Sequence, residues 1–286
     1  MSVLEALVLG VVQGLTEFLP VSSSGHLVLL QKIFGITEPT LLFDTAVHGG
    51  TLIAVVVVLW RDIWNILRRI VQPLTLWLIV ATIPAVVAAL LFKDRIEAAF
   101  ASGAFLGLAF LVTSALLFAS DLISRGGSKP GGFPARLDAS APARGQDEMR
   151  WLDALVIGLL QAVAIAPGIS RSGATISGAL FRKMDRDFAA RFSFLLSIPA
   201  ILGALVLQVK DLAKTGAADA AASAPAELIG QLPLTVGCLS ACIVGFFSIR
   251  LTLKIVREHS LRGFAIYTGI LGLLVLVDQF GTHFFF

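Results

Sequence analysis

The chain has 286 residues, of which 57% are hydrophobic and only 14% charged, with a mean hydropathy of +0.89 and a net charge of +3. A soluble domain carries about 25% charged residues, and no water-soluble fold of this length could hide so much apolar surface, so lipid must be part of the solvent. The net charge is small and its sum says little, and the two cysteines, Cys238 and Cys242, lie four apart in an apolar run and read as small helix-face residues.

In chain order, the first stretch (1–35) is apolar but interrupted at Leu19-Pro20-Val21-Ser22-Ser23-Ser24-Gly25. Each half is too short to cross a bilayer, which takes about 20 helical residues. Proline ends one helix and serine caps the next, so the stretch reads as a re-entrant helical hairpin. Three uninterrupted apolar runs follow, near 43–60, 74–92 and 102–120. The segment 121–150, rich in glycine, proline and charge, reads as an exposed cytoplasmic linker. A second interrupted stretch, 152–182, breaks at Ala166-Pro167-Gly168-Ile169-Ser170-Arg171-Ser172-Gly173 and reads as a second hairpin. Three more runs, near 188–207, 232–250 and 263–280, are separated by an Ala-rich loop at 211–230. The expected fold is therefore an all-α polytopic membrane protein with six transmembrane helices and two re-entrant hairpins.

The two halves match at an offset of 148: Gly10 falls on Gly158, Gln13 on Gln161, Ser22 on Ser170, Ser24 on Ser172 and Gly25 on Gly173. Each unit, 1–120 and 151–286, is one hairpin plus three spans. An odd number of crossings makes the units inverted, a pattern that places sites where two broken helices meet. With the N-terminus outside, the inward segments 61–69, 125–150, 182–191 and 250–262 hold sixteen of the 22 basic residues, and the outward segments hold five. That split follows the positive-inside bias.

The polar residues concentrate at the breaks. Gln13 and Glu17 are one helical turn apart and share a face, and a carboxylate inside an apolar segment is a functional candidate. Ser22, Ser23 and Ser24 open a helix whose N-terminus suits an anion, and Gly25 lets the backbone approach a ligand. His26 follows within the first turn, where it can exchange a proton. In the second break Ser170, Ser172, Gly173 and Thr175 surround Arg171, the one basic residue within the span of either break, whose planar donors suit phosphate. His48 lies early in the first span and is a candidate second contact. Glu17 with Gln13 offers oxygen ligands to Mg²⁺ or Ca²⁺. Nucleotide-binding and zinc-protease motifs are lacking.

Residues 13–27, Gln13-Gly14-Leu15-Thr16-Glu17-Phe18-Leu19-Pro20-Val21-Ser22-Ser23-Ser24-Gly25-His26-Leu27, resemble the first signature of the bacterial undecaprenyl-diphosphate phosphatases, which are linked to bacitracin resistance. Residues 167–175 resemble their second signature, and the likeness spans the chain. The resemblance implies a hydrolase that removes the terminal phosphate of undecaprenyl diphosphate, regenerating the lipid carrier for peptidoglycan. Its functional positions fall on Gln13, Glu17, Ser22, Ser23, His26, Ser170, Arg171 and Thr175. The expected roles are Ser23 as nucleophile with His26 as its base, Arg171 on the phosphate, and a divalent cation near Glu17, with activated water as the competing nucleophile. The alternative is a flippase or transporter of the same inverted-repeat architecture. The expected setting is the bacterial cytoplasmic membrane with the site opening outward. The partners are the lipid substrate and membrane lipids, with a homodimer allowed for and no nucleic acid.

Overall fold

The computed structural model describes residues 1–36, 40–124, 144–214 and 230–284, and among these the fold is entirely helical. The first interrupted stretch forms α1 (Val3–Thr16) and α2 (Ser23–Ile33). Next come α3 (Leu41–Val58), α4 (Trp60–Arg68), α5 (Pro73–Leu91), α6 (Lys93–Ser102) and α7 (Leu106–Ser124). The second interrupted stretch forms α8 (Trp151–Val163) and α9 (Arg171–Phe181). The last three helices are α10 (Arg186–Lys214), α11 (Gln231–Glu258) and α12 (Arg262–Val277), the last continued by a π turn, Asp278–Thr282.

Six of these helices, α3, α5, α7, α10, α11 and α12 with its π turn, are long and apolar enough to cross a membrane, as their hydropathy predicts. In α5 only 17% of the span is buried, and side chains such as Leu90 and Leu273 stand more than half exposed. Apolar surface of that extent is stable only against lipid. Both short pairs are helix–break–helix, as their proline and serine patterns predict. α1 starts with a capping box, in which the Ser2 hydroxyl accepts from the Glu5 amide at 3.2 Å and the Glu5 carboxylate accepts from the Ser2 amide at 2.7 Å.

Of the two short pairs, α9 is buried along its length, whereas α1 and α8 keep side chains such as Leu4 and Leu159 exposed. α1 packs along α11, and α8 packs along α5. Small residues allow this closeness. A methyl group on Gly10 would lie 2.4 Å from the Gly237 carbonyl, and one on Gly158 would lie 2.5 Å from that of Ala81. These are the two glycines that match at the offset of 148. Behind the first break, Phe18 stacks edge-on against Phe194 at 5.4 Å, both fully buried.

One end of the bundle gathers arginines. Arg186 donates to Ser124 and to the Val256 and His259 carbonyls, and Arg262 reaches the buried Asp121 at 3.0 Å. Arg191 meets Asp62 of α4 at the same end. Over 144–150 the end of the linker segment is anchored at two points. Arg144 grips the buried Asp153 with two bonds of 3.0 Å and donates to the Arg182 carbonyl, and Met149 is buried. A buried carboxylate requires such partners, so Arg144 and Met149 tie the segment to α8 and α9 while Gln146, Asp147, Glu148 and Arg150 stay exposed. Residues 125–143 of the linker and 215–229 of the Ala-rich loop lie outside the described residues. The remainder of that loop's first part, through Lys214, continues α10.

Candidate active site

The two breaks face each other. Ser22 caps α2, its hydroxyl accepting from the Gly25 amide at 3.3 Å. Ser170 caps α9 in the same way, accepting from the Gly173 amide at 3.0 Å. The cross-links run both ways: Ser172 donates to the Leu19 carbonyl at 3.0 Å, and the Gly168 amide donates to the Ser24 hydroxyl at 3.4 Å. Gly25 lies against Gly168, where an added methyl would come within 3.1 Å of its Cα. Gly168 itself has φ of 90°, a conformation that suits glycine. Ser22 also has positive φ, 74°, whereas Ser170 is extended. Holding a non-glycine residue there costs about 1–3 kcal/mol, and such strain clusters at functional sites.

At this junction Glu17, only 6% exposed, collects four groups. Arg171 donates to one carboxylate oxygen at 2.7 Å. Ser23 donates to the other at 2.5 Å, and the Gln13 amide nitrogen donates to the same oxygen at 3.1 Å. The His48 Nε2 stands 3.9 Å from it. The break makes this possible, because Ser23 lies six residues after Glu17 and could not reach it along a continuous helix. Arg171 spends one terminal nitrogen on Glu17, while Nη1 is buried with no partner. The structure thus brings Gln13, Glu17, Ser23, His48 and Arg171 together, with Ser22, Ser24, Gly25, Ser170, Ser172 and Gly173 forming the paired caps around them.

Two expectations fare differently. Thr175 is fully buried and turned away, bonded to the Arg171 carbonyl and to the Ser193 hydroxyl at 2.6 Å. The expected Ser23–His26 pair is not formed. The His26 Nδ1 is 2.6 Å from the Ser22 carbonyl and can only donate there, so a neutral ring presents Nε2 as an acceptor. That nitrogen meets the Tyr267 hydroxyl at 2.7 Å, with the two rings stacked at 5.7 Å and Phe110 edge-on to His26. Tyr267 carries no motif, yet it is the single tyrosine in a chain with 20 phenylalanines, and that was its signal. Thr113, which accepts from the Ser170 amide at 3.0 Å, and Asp44, whose carbonyl orients His48 through Nδ1 at 2.6 Å, were also silent in the sequence.

A divalent cation finds an incomplete set of ligands. Among the described residues no cluster of three His, Cys, Asp or Glu side chains exists. Gln13 Oε1, however, is a buried acceptor without a donor, on the side chain that touches Glu17. Glu17 and Gln13 are the oxygen-bearing side chains here that would hold a divalent cation, which would supply charge to offset a bound anion.

An arginine, a carboxylate and a bonded serine, set between two helix N-termini within an apolar bundle, define a polytopic membrane protein built to handle a phosphoryl group. The chain belongs to the bacitracin resistance protein BacA family, whose model matches residues 6–274. It is 43% identical over 279 residues to the undecaprenyl-diphosphatase of Carboxydothermus hydrogenoformans, covering 98% of each chain. It is 42% identical over 280 residues to undecaprenyl-diphosphatase 3 of Bacillus cereus, again with 98% of each covered. A relative named undecaprenyl-diphosphatase from Methanosphaera stadtmanae is 38% identical over 299 residues, covering 97% of this chain and 98% of its own.

Proposed function

We infer that the chain is an undecaprenyl-diphosphatase, a membrane hydrolase that releases the terminal phosphate of the lipid diphosphate and returns the monophosphate carrier to peptidoglycan synthesis. Alongside its full-length relatives, the observation that carries this reading is Ser23 bonded to Glu17, with Arg171 on the same carboxylate. A lipid transporter needs a phosphate receptor but no nucleophile paired with a base.

The chemistry follows from these side chains. The terminal phosphate enters with Arg171, whose free Nη1 and its fork on Nη2 hold two of its oxygens. This draws the guanidinium from Glu17 and leaves the carboxylate to take the Ser23 proton. The Ser23 oxygen forms a bond to the terminal phosphorus as the bond to the bridging oxygen breaks, and the lipid monophosphate leaves. The proton on Glu17 leaves with the lipid monophosphate, so the carboxylate can take a proton from the water that attacks the phosphoserine and return it to the Ser23 oxygen as phosphate departs. The amide groups at the starts of α2 and α9 face the charge that develops. Glu17 and Gln13 would hold Mg²⁺ or Ca²⁺, which when bound offsets the charge of the diphosphate oxygens.

The arginine-rich end of the bundle is assigned to the cytoplasm of a bacterial cell, and the membrane is the cytoplasmic one. Each helix–break–helix pair then enters and leaves on one face, the first pair opens outward, and the site is reached from the outer side. The test is phosphate release from a prenyl diphosphate by purified protein in detergent, with and without chelator. A pure protein that binds the lipid and never releases phosphate refutes the reading.

A further inference from the structure

A surface groove beside the site has about 510 Å³ and is walled by Leu15, Leu19, Val21, Ile255, Phe264 and Tyr267. Its walls carry no ionisable group but the Tyr267 phenol, so it suits a hydrocarbon chain rather than a headgroup. Its inner end belongs to the site. Leu19 and Val21 lie in the break between Glu17 and Ser22, and the Tyr267 hydroxyl is the partner of His26 at 2.7 Å. Its far end is at Ser260, in the turn between α11 and α12, and at Gly263, in the first turn of α12, at the arginine-rich end. A second groove, of about 310 Å³ between α5 and α10, touches none of the site residues.

We propose that the 510 Å³ groove binds the first isoprene units of the substrate chain, with the Tyr267 ring as its headward wall. This rests on the phosphatase reading and names the chain-binding subsite of that same site. A diphosphate at Arg171 and Glu17 sits deep between the breaks, and its chain must leave sideways into lipid. The groove is the apolar exit that begins at the break. It runs toward the cytoplasmic end, the direction in which the chain of an outer-leaflet lipid points.

Gly263 gives a clean perturbation, since a side chain added there meets nothing within 4 Å. Gly263→Phe fills the groove without pressing on backbone. Gly203, on α10, is equally open and lies outside the groove, so Gly203→Phe controls for bulk on the lipid face. Phosphate release is measured from farnesyl diphosphate and from isopentenyl diphosphate. Because each buried methylene adds about 0.8 kcal/mol, displacing two of them should raise the ratio of the farnesyl KM to the isopentenyl KM by about tenfold or more in Gly263→Phe. The control should leave the ratio as in the wild type. An unchanged ratio in Gly263→Phe, or an equal rise in the control, overturns the proposal.

A farnesyl diphosphate carrying a diazirine in its first isoprene unit provides a reading without turnover. It should label the segment from Ile255 to Tyr267, and unlabelled farnesyl diphosphate should displace it far better than phosphatidylglycerol does. Labelling of α5 and α10 instead, or equal displacement by the phospholipid, shows an ordinary lipid groove and overturns the proposal. If the wild type binds the probe yet hydrolyses neither substrate, the phosphatase reading fails, while the photolabel still decides what the groove holds.

Discussion

Glu17→Gln separates the two jobs that the site asks of one carboxylate. The amide keeps the shape and can still accept from Ser23, but it can neither take a proton nor balance Arg171. Loss of a general base lowers turnover by about 10²–10⁴, and with Ser23 at 2.5 Å the full range applies. Arg171 is 16% exposed and Glu17 only 6%, so removing the charge leaves a nearly buried guanidinium uncompensated. Breaking such a pair costs about 3–5 kcal/mol, and the partial exposure of Arg171 sets this case at the lower end. The unpaired arginine should then take an anion instead. Inorganic phosphate should inhibit residual turnover at lower concentration than in the wild type and should raise the variant's melting temperature by more. Phosphate release, its inhibition by added phosphate, and thermal unfolding in detergent with and without phosphate measure all three. Turnover within tenfold of wild type, with phosphate affinity unchanged, refutes the reasoning that Glu17 is both the base and the counter-charge.

Ser23→Ala should abolish measurable turnover, and a rapid quench of the wild type should trap phosphoserine at position 23. Ser24→Ala, which loses only long bonds, to the Gly168 amide and to the Ser22 hydroxyl, should keep much of the activity; substantial turnover in Ser23→Ala would instead assign the attack to water. Arg171→Lys should be impaired by about two orders of magnitude or more, because a single ammonium cannot hold Glu17 and two phosphate oxygens together. Chelation should suppress activity and Mg²⁺ or Ca²⁺ restore it, with Gln13→Glu active and satisfied at lower metal concentration, as a dose–response titration would read. On intact cells an impermeant thiol reagent should label Asp94→Cys on α6 and spare Asn65→Cys on α4, both positions being exposed; the reverse pattern inverts the orientation.

The spans were legible because each is a long apolar run, and the structure moves their ends by only a few residues except at the C-terminal ends of α10, which runs on to Lys214, and α11. That helix continues to Glu258, past a run that hydropathy ends at 250, because Ile249, Leu253 and Val256 keep one face apolar while Arg250, Lys254 and Arg257 occupy the other. Averaging over a window hides such a face. The same blindness missed α4, whose Trp60 and Trp64 stack at 5.6 Å, with Arg68 over the Trp64 ring, and α6, which is polar enough to pass for a loop. At the site, caps and breaks were legible because Pro, Ser and Gly act locally. Partners across the break were not. Spacing along α2 suggested that Ser23 and His26, three residues apart, would pair, but that spacing says nothing about which neighbouring element each meets.

The divergence of those two side chains gives the site its logic. From the first turn of one short helix, Ser23 reaches back to Glu17 in the other half of its own pair, and His26 reaches across to Tyr267 on α12. The phosphate-holding groups lie on the Ser23 side, and the apolar groove opens on the Tyr267 side. A lipid diphosphate lying across both must therefore pass over the N-terminus of α2, with the bond to be broken near the helix start. Charge on the departing monophosphate grows where the amides and the helix dipole favour it most. In this arrangement His26 need not activate Ser23. Its bonds to the Ser22 carbonyl and to Tyr267 hold the turn from which Ser23 reaches Glu17; on the mechanism proposed above, the histidine of the signature would act by holding that turn and the carboxylate six residues before the serine would be the base.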